Sequence, residues 1–288
     1  EVDTSFLKEQ NVTMTPNGSV YTREKQGFFP SLMEKMYTDR VKYKNLLIQE
    51  QKKGEDADPN KLAQYFNMQI NIKIALNSAY GALGNQWFRF YDVRNAEAVS
   101  VAGQLSIRWA ENAVNEYLNK VLGTDGEDYV LASDTDSLYV TLDPLIQKVG
   151  LENEDTKKII NFMDSVCNDK MEKVIDKCYD DLAEYVNAFQ QKMVMKREVL
   201  ADVGIWVAKK HYILNVHNSE GVEYEEPELK IMGIEAVKSS TPEPCRNALK
   251  KAFKLVMNGT EDDVINFIEE FKKEFKELAP EDVSFPRS

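Results

Sequence analysis

Residues 129–140 read Tyr129-Val130-Leu131-Ala132-Ser133-Asp134-Thr135-Asp136-Ser137-Leu138-Tyr139-Val140. Two β-type apolar runs, 129–131 and 138–140, flank the polar cluster 133–137. Short β-rich runs around a polar cluster are the pattern of a hairpin. The tip carries two carboxylates, Asp134 and Asp136, one residue apart. In a strand, residues i and i+2 share a face, and acids so close repel unless a cation or hydrogen-bond donors compensate. Mg²⁺ takes one or two carboxylates plus substrate phosphate oxygens, so the tip is a candidate Mg²⁺ seat. The competing reading is a hydrogen-bonded turn, because Asp, Ser and Thr favour turns for local reasons.

The neighbouring motifs favour the metal seat. Upstream lies Lys73-Ile74-Ala75-Leu76-Asn77-Ser78-Ala79-Tyr80-Gly81. At 100° per residue, Lys73, Asn77 and Tyr80 fall on one helix face. Downstream lie Lys196-Arg197-Glu198 and Lys209-Lys210-His211-Tyr212. In the order Lys-x-x-x-Asn-Ser-x-Tyr-Gly, Asp-Thr-Asp-Ser, Lys-x-Tyr, the chain resembles family B DNA polymerases, and among them the T4-like phage replicative enzymes. The resemblance runs from Pro16 to about Thr241.

That resemblance implies an α+β fold: an antiparallel palm sheet with packed helices, plus a long antiparallel helical hairpin, the fingers. It divides the chain into the end of an N-terminal palm portion (1–29), fingers (30–84), palm (85–237) and the start of a thumb (238–288). The implied activity is template-directed DNA synthesis, in which a primer 3′-hydroxyl attacks the α-phosphate of a dNTP and two Mg²⁺ ions assist. Asp134 and Asp136 would hold metal, with Glu198 as a further metal-associated carboxylate. A salt bridge from Glu198 to Arg197 or a palm lysine is the alternative. Lys73 would act on the phosphates near the reacting one, Arg40 and Lys44 on the tail phosphates, and Asn77 and Tyr80 on the nucleotide and nascent pair. Lys209, Lys210, Tyr212 and Lys238 would hold primer–template DNA, since lysine contacts to phosphate fix register without reading sequence.

Local signals agree with this layout. Val12–Met14 and Val20–Tyr21 flank Asn17-Gly18, a strong hairpin signal. A helix is expected from about Ser31 to Lys52, and a second from Asp58-Pro59 to Tyr80, with Gly81 as its stop. Trp87-Phe88-Arg89-Phe90-Tyr91 can stack on bases, although core packing is the default for aromatics. A long helix is expected over 96–122, one or two more over 155–189, a strand opening at Met193, and strands around Lys209–His211. Two further helices, about 246–257 and 261–278, follow.

Composition sets bounds. A net charge of −12 argues against nucleic acid on its face. However, basic residues gather where the resemblance needs them (Lys35, Arg40, Lys42, Lys44, Lys52 and Lys53), and acid gathers near the C-terminus. No apolar run reaches the ~20 residues of a membrane span. Cys167, Cys178 and Cys245 lack Cys-x-x-Cys spacing and read as free thiols of a reducing compartment, the host cytoplasm for a phage protein. Two histidines make a zinc site improbable.

Four departures from the family pattern stand out. The first metal carboxylate of the family sits in Asp-x-x-Ser-Leu-Tyr-Pro, and Phe29-Pro30-Ser31-Leu32 lacks the Asp. No exonuclease region is present. The chain therefore reads as an internal fragment whose partners are DNA, dNTP, a missing N-terminal portion and, in a full enzyme, a sliding clamp. The alternative is a non-catalytic DNA- or nucleotide-binding piece of a split polymerase. Ala132-Ser133 and His211 stand where relatives carry Tyr-Gly and often Arg.

Overall fold

The computed structural model describes residues 3–285. The chain divides into two compact units, at Arg197 and Glu198.

The first unit opens with α1 (Ser5–Glu9), β1 (Val12–Met14) and β2 (Val20–Thr22). β1 and β2 pair antiparallel, and Gly18 takes a φ of 80° in their turn. α2 (Phe28–Gln51) and α3 (Pro59–Leu83) then pack side by side through a short turn. α2 starts three residues before the expected Ser31, from Gly27 with no side-chain cap. α3 starts at the expected point, because the Asp58 carboxylate accepts from the Asn60 and Lys61 amides and Pro59 lacks the amide this position leaves unpaired. Gly81 does not stop it. α3 continues to Leu83 and ends at Gly84, since a glycine inside a helix costs only about 1 kcal/mol.

α4 (Val93–Leu122) is the spine of this unit and packs against α3, β3, β4, α5 and α7. Its buried stripe is Ala98, Ser106, Ala110, Val114 and Leu118. Val101, Leu105 and Trp109, apolar at helical spacing along the same helix, are only half-buried. β3 (Val130–Asp134) and β4 (Ser137–Val140) form the expected hairpin. α5 (Asp143–Lys148), α6 (Thr156–Val166) and α7 (Glu172–Tyr185) follow, with a wider helical turn, Cys167–Met171, joining α6 to α7. The buried face of these helices holds Ile160, Met163, Cys167, Ile175, Cys178 and Leu182. The strand expected at Met193 does not form: 190–198 has no regular structure, and Met193 and Val194 are exposed. An apolar run with no partner strand cannot satisfy its backbone as sheet.

The second unit is a three-stranded antiparallel sheet, β5 (Val199–Ala208), β6 (His211–Ser219) and β7 (Val222–Met232), followed by α8 (Glu243–Asn258), α9 (Glu261–Glu277) and α10 (Pro280–Val283). β6 is central and almost wholly buried. Ile213, Ile231, Ile234 and Ala236 form its core, with Leu249, Phe253 and Met257 of α8 against them. A capping box between Thr260 and Asp263 starts α9. The fold is thus mixed helix and antiparallel sheet. Its strands lie in three separate sheets rather than the single one expected.

Candidate functional site

The acidic tip is tighter than alternation along a strand would make it. Asp134 ends β3 and pairs with Ser137, so Thr135 and Asp136 make a two-residue turn. Thr135 has a φ of 57°, a position that normally takes glycine. The Asp136 amide donates to the Asp134 carbonyl at 2.6 Å. The hydroxyls of Thr135 and Ser137 donate to the Asp134 carboxylate and carbonyl, at 3.0 and 3.1 Å. Asp134 and Asp136 therefore do not share a strand face: they stand on either side of a left-handed residue. The turn reading and the acidic tip are both realised. The positive φ falls at Thr135 and not at Ala132 or Ser133, which keep strand pairing, so no glycine is needed there.

Asp136 is exposed and Asp134 half-buried. Tyr179 of α7, only 3 % exposed, is near enough to Asp136 to feel its charge. Burial, with smaller contributions from Cys178 and the Asp136 charge, pushes its phenol up to about 12. The donor set fits Mg²⁺, because two carboxylates plus phosphate oxygens are its ordinary ligands. Among the described residues no third His, Cys, Asp or Glu joins them as a metal cluster.

Lys73, Asn77 and Tyr80 lie along the second half of α3 with exposed side chains. The Tyr80 hydroxyl is 2.5 Å from the Ser100 hydroxyl on α4. Ser100 also donates to the Ala96 carbonyl. Arg40 and Lys44 sit one turn apart on α2, half-buried, and the buried Arg40 Nε makes no hydrogen bond. The turn between α2 and α3 is fixed by Glu50, which is 5 % exposed. Its carboxylate accepts from the Asp58 amide at 2.9 Å and from Lys53 at 2.7 Å, which together hold its pKa below the usual value.

Lys196 pairs with Glu172, whose other oxygen accepts from the Arg197 amide. The Arg197 guanidinium pairs with Asp164. These contacts grip the wider helical turn from both sides. Burial there raises the Cys167 thiol to about 11, which makes it an unreactive core residue.

In the second unit, Glu198 pairs with Lys230 at 2.7 Å. Of its two expected roles, this is the salt bridge. Lys209 and Lys210 form the exposed turn between β5 and β6, and Lys210 has a φ of 63°. The His211 ring nitrogen Nδ1 lies 2.9 Å from the Lys209 carbonyl. Tyr212 is buried at 6 % exposure, its ring 6.3 Å from that of Trp206. Lys238 pairs with Glu235 at 2.8 Å.

Sequence reasoning missed Ser100, Tyr179 and Lys230, whose roles depend on long-range packing. It also placed the aromatic run 87–91 in the core. The structure reverses that, as Trp87 is 86 %, Phe90 49 % and Tyr91 42 % exposed.

The hairpin with its two acids and the helix with Lys73, Asn77 and Tyr80 both pack on α4. The chain belongs to DNA polymerase family B, whose profile matches residues 2–285. It is 36 % identical to the DNA-directed DNA polymerase of Escherichia phage RB69, over 84 % of this chain and 33 % of that protein. It is 34 % identical to the DNA-directed DNA polymerase of Enterobacteria phage T4, over 92 % of this chain and 35 % of that protein. Over 46 % of its length it is 31 % identical to the DNA polymerase delta catalytic subunit of Candida albicans. The chain spans about a third of the length of the two phage relatives. No helix among the described residues is long and apolar enough to cross a membrane.

Proposed function

We propose that this chain supplies the nucleotide-binding helices and one metal-binding hairpin of a template-directed DNA polymerase. The observation that carries the reading is that α4 packs on both α3, with Lys73, Asn77 and Tyr80, and the β3–β4 hairpin, with Asp134 and Asp136. In this reading α2 and α3 are the fingers, the segment 85–237 is palm and the segment from Lys238 onward begins a thumb.

The chemistry follows from charge. A dNTP brings a highly charged triphosphate, and phosphoryl transfer is catalysed mainly by positioning and by fixed opposite charge. Lys73 sits next to the phosphates nearest the reaction, and Arg40 and Lys44 hold the tail. Asn77 and Tyr80 orient the nucleoside. Asp134 and Asp136 hold Mg²⁺, which when bound neutralises developing charge on the attacking and leaving oxygens. Lys209, Lys210, Tyr212 and Lys238 belong to the primer–template grip, with Lys210 on phosphate and the buried Tyr212 setting the turn from beneath. Glu198, paired with Lys230, is a poorer candidate for metal than the two aspartates.

Two carboxylates hold two ions poorly, so a further carboxylate comes from polypeptide outside residues 1–288. The test is primer extension with Mg²⁺ and dNTPs. The purified chain alone extends no primer. Adding a polypeptide that carries the Asp-x-x-Ser-Leu-Tyr-Pro segment restores synthesis, and Asp136→Ala abolishes it. In that complemented enzyme Lys73→Ala raises the dNTP KM or lowers kcat. Unchanged dNTP kinetics in Lys73→Ala would overturn the assignment of α3.

A further inference from the structure

In the second unit the end of β7 meets the start of β6, and several of its cations gather there. Tyr212 pairs with Met232. Gly233 then lies against the turn that carries Lys209 and Lys210, and a Cβ there would also meet the His211 ring at 3.2 Å. The chain next makes one turn of 3₁₀ helix, Glu235–Val237. Ile234 and Ala236 are buried in the core of this unit, so Glu235 between them is held facing solvent. Its carbonyl accepts from the Lys238 amide at 3.2 Å, and its carboxylate pairs with the Lys238 ammonium at 2.8 Å. The hydrogen bond from Lys238 is the main cause that holds the Glu235 carboxyl below the usual carboxylate value, and the nearby His211 adds to it. One ionised carboxylate therefore stands among the cations of this edge.

We propose that Glu235 is a built-in phosphate mimic, which occupies Lys238 in the free protein and yields it to a backbone phosphate when duplex DNA binds. The proposal rests on the primer–template reading of this unit and adds a competing anion to it. The exchange is easy on both sides. The side chains of Lys238 and Glu235 are 43 and 62 % exposed, and an exposed ion pair is weak. A lysine contact to DNA phosphate, in contrast, is favoured by the counterions that the DNA releases. The displaced carboxylate stays at the same edge, because Ile234 and Ala236 anchor the turn that carries it. Such a grip holds less tightly than its cations alone would, and it lets go more easily. That suits a protein that shifts its register by one base pair for each nucleotide added. It also agrees with a net charge of −12, because the local arrangement of charge, and not its sum, decides what binds.

The test titrates a labelled DNA duplex with the full chain and follows its anisotropy. Glu235→Gln binds the duplex about 1.5- to 5-fold more tightly than wild type, the range of one exposed ion pair. Glu235→Ala tightens it as well, so an amide that still accepts from Lys238 does not hide the effect. Lys238→Ala loses more affinity in the Glu235→Gln background than alone, by about the same factor, because only there has Lys238 no competitor. The salt dependence is steeper in Glu235→Gln, by up to about one in slope, since no carboxylate is left to recapture a cation. Glu269→Gln is the control. It removes the same charge from an i, i+3 pair with Lys272 on α9, 2.7 Å long, and leaves the affinity near that of wild type. If Glu235→Gln binds like wild type while Lys210→Ala binds more weakly, the mimic is overturned and the grip stands. If Glu269→Gln tightens binding as much as Glu235→Gln, total charge is the cause and the mimic is overturned as well. A wild-type chain that binds no duplex overturns the grip and the mimic together.

Discussion

The Tyr80 hydroxyl lies 2.5 Å from the Ser100 hydroxyl and joins the end of α3 to the first third of α4. Tyr80 is 45 % exposed, so water competes for the bond and its net worth is at the low end, about 0.5 kcal/mol. Tyr80→Phe and Ser100→Ala each lower stability by about that much. A double-mutant cycle in urea yields a coupling of similar size, because the two changes remove the same contact. Independent, additive effects would mean that the two hydroxyls do not interact.

A larger loss is expected at Asn187. Its buried amide donates to the carbonyls of Leu7 and Val12, at 2.9 and 2.8 Å, and holds α1 and β1 against the end of α7. Thr13 and Arg23 support it through the carbonyls of Val186 and Ala188. Asn187 also has a φ of 49°, which asparagine tolerates better than alanine. Asn187→Ala therefore costs about 2–4 kcal/mol, from stranded carbonyls and a strained backbone. Asn187→Gly, which relieves only the strain, falls between. Amide exchange over residues 5–14 accelerates in both variants, and most in the alanine.

What the sequence reveals is what local chemistry decides. Asp58-Pro59 starts a helix whatever surrounds it, and the Asn17-Gly18 turn closes its hairpin by itself. Gly81 carries no such certainty, because a glycine inside a helix costs only about 1 kcal/mol and the helix runs on to Leu83. β7 was invisible for the opposite reason. Glu223, Glu225, Glu226, Pro227 and Glu228 look unlike a strand, and only an edge position beside β6 lets that composition pair. Trp87 was misread because aromatic residues usually fill cores, and nothing in its neighbours' identity says which side of the cluster meets water. Among the candidate site residues, the identities were legible from motif spacing. Their particular partners were less so: the Tyr80–Ser100 pair had no local signal, and for Glu198 the sequence offered a palm lysine without saying that it is Lys230.

The Glu50 carboxylate gives the α2–α3 turn a defined pH response. Its pKa is lowered mainly by the Asp58 amide and then by Lys53. A carboxylate with a depressed folded pKa adds stability that is fully present above its ordinary value of 4.5 and is lost as pH falls through the folded value. Glu50→Gln removes that contribution. Urea midpoints of wild type and Glu50→Gln therefore differ at about pH 7 and converge towards about pH 3. A gap that stayed constant across this range would assign the effect to shape rather than charge.

Lys210 and Gly233 separate binding from folding in the second unit. Gly233 has a φ of 71°, and a Cβ there would meet the Lys210 carbonyl at 2.2 Å. Backbone cannot yield that distance cheaply, so Gly233→Ala displaces the Lys209–Lys210 turn and costs about 2–4 kcal/mol of stability. Lys210→Ala removes one exposed cation and leaves the fold intact. If the turn grips the primer–template backbone, Lys210→Ala weakens duplex binding about equally for all sequences and lowers the salt slope by about one. Gly233→Ala lowers both the melting temperature and the affinity, while Lys210→Ala lowers the affinity alone. Unchanged duplex affinity in Lys210→Ala would remove this turn from the DNA grip and leave the role of Gly233 purely structural.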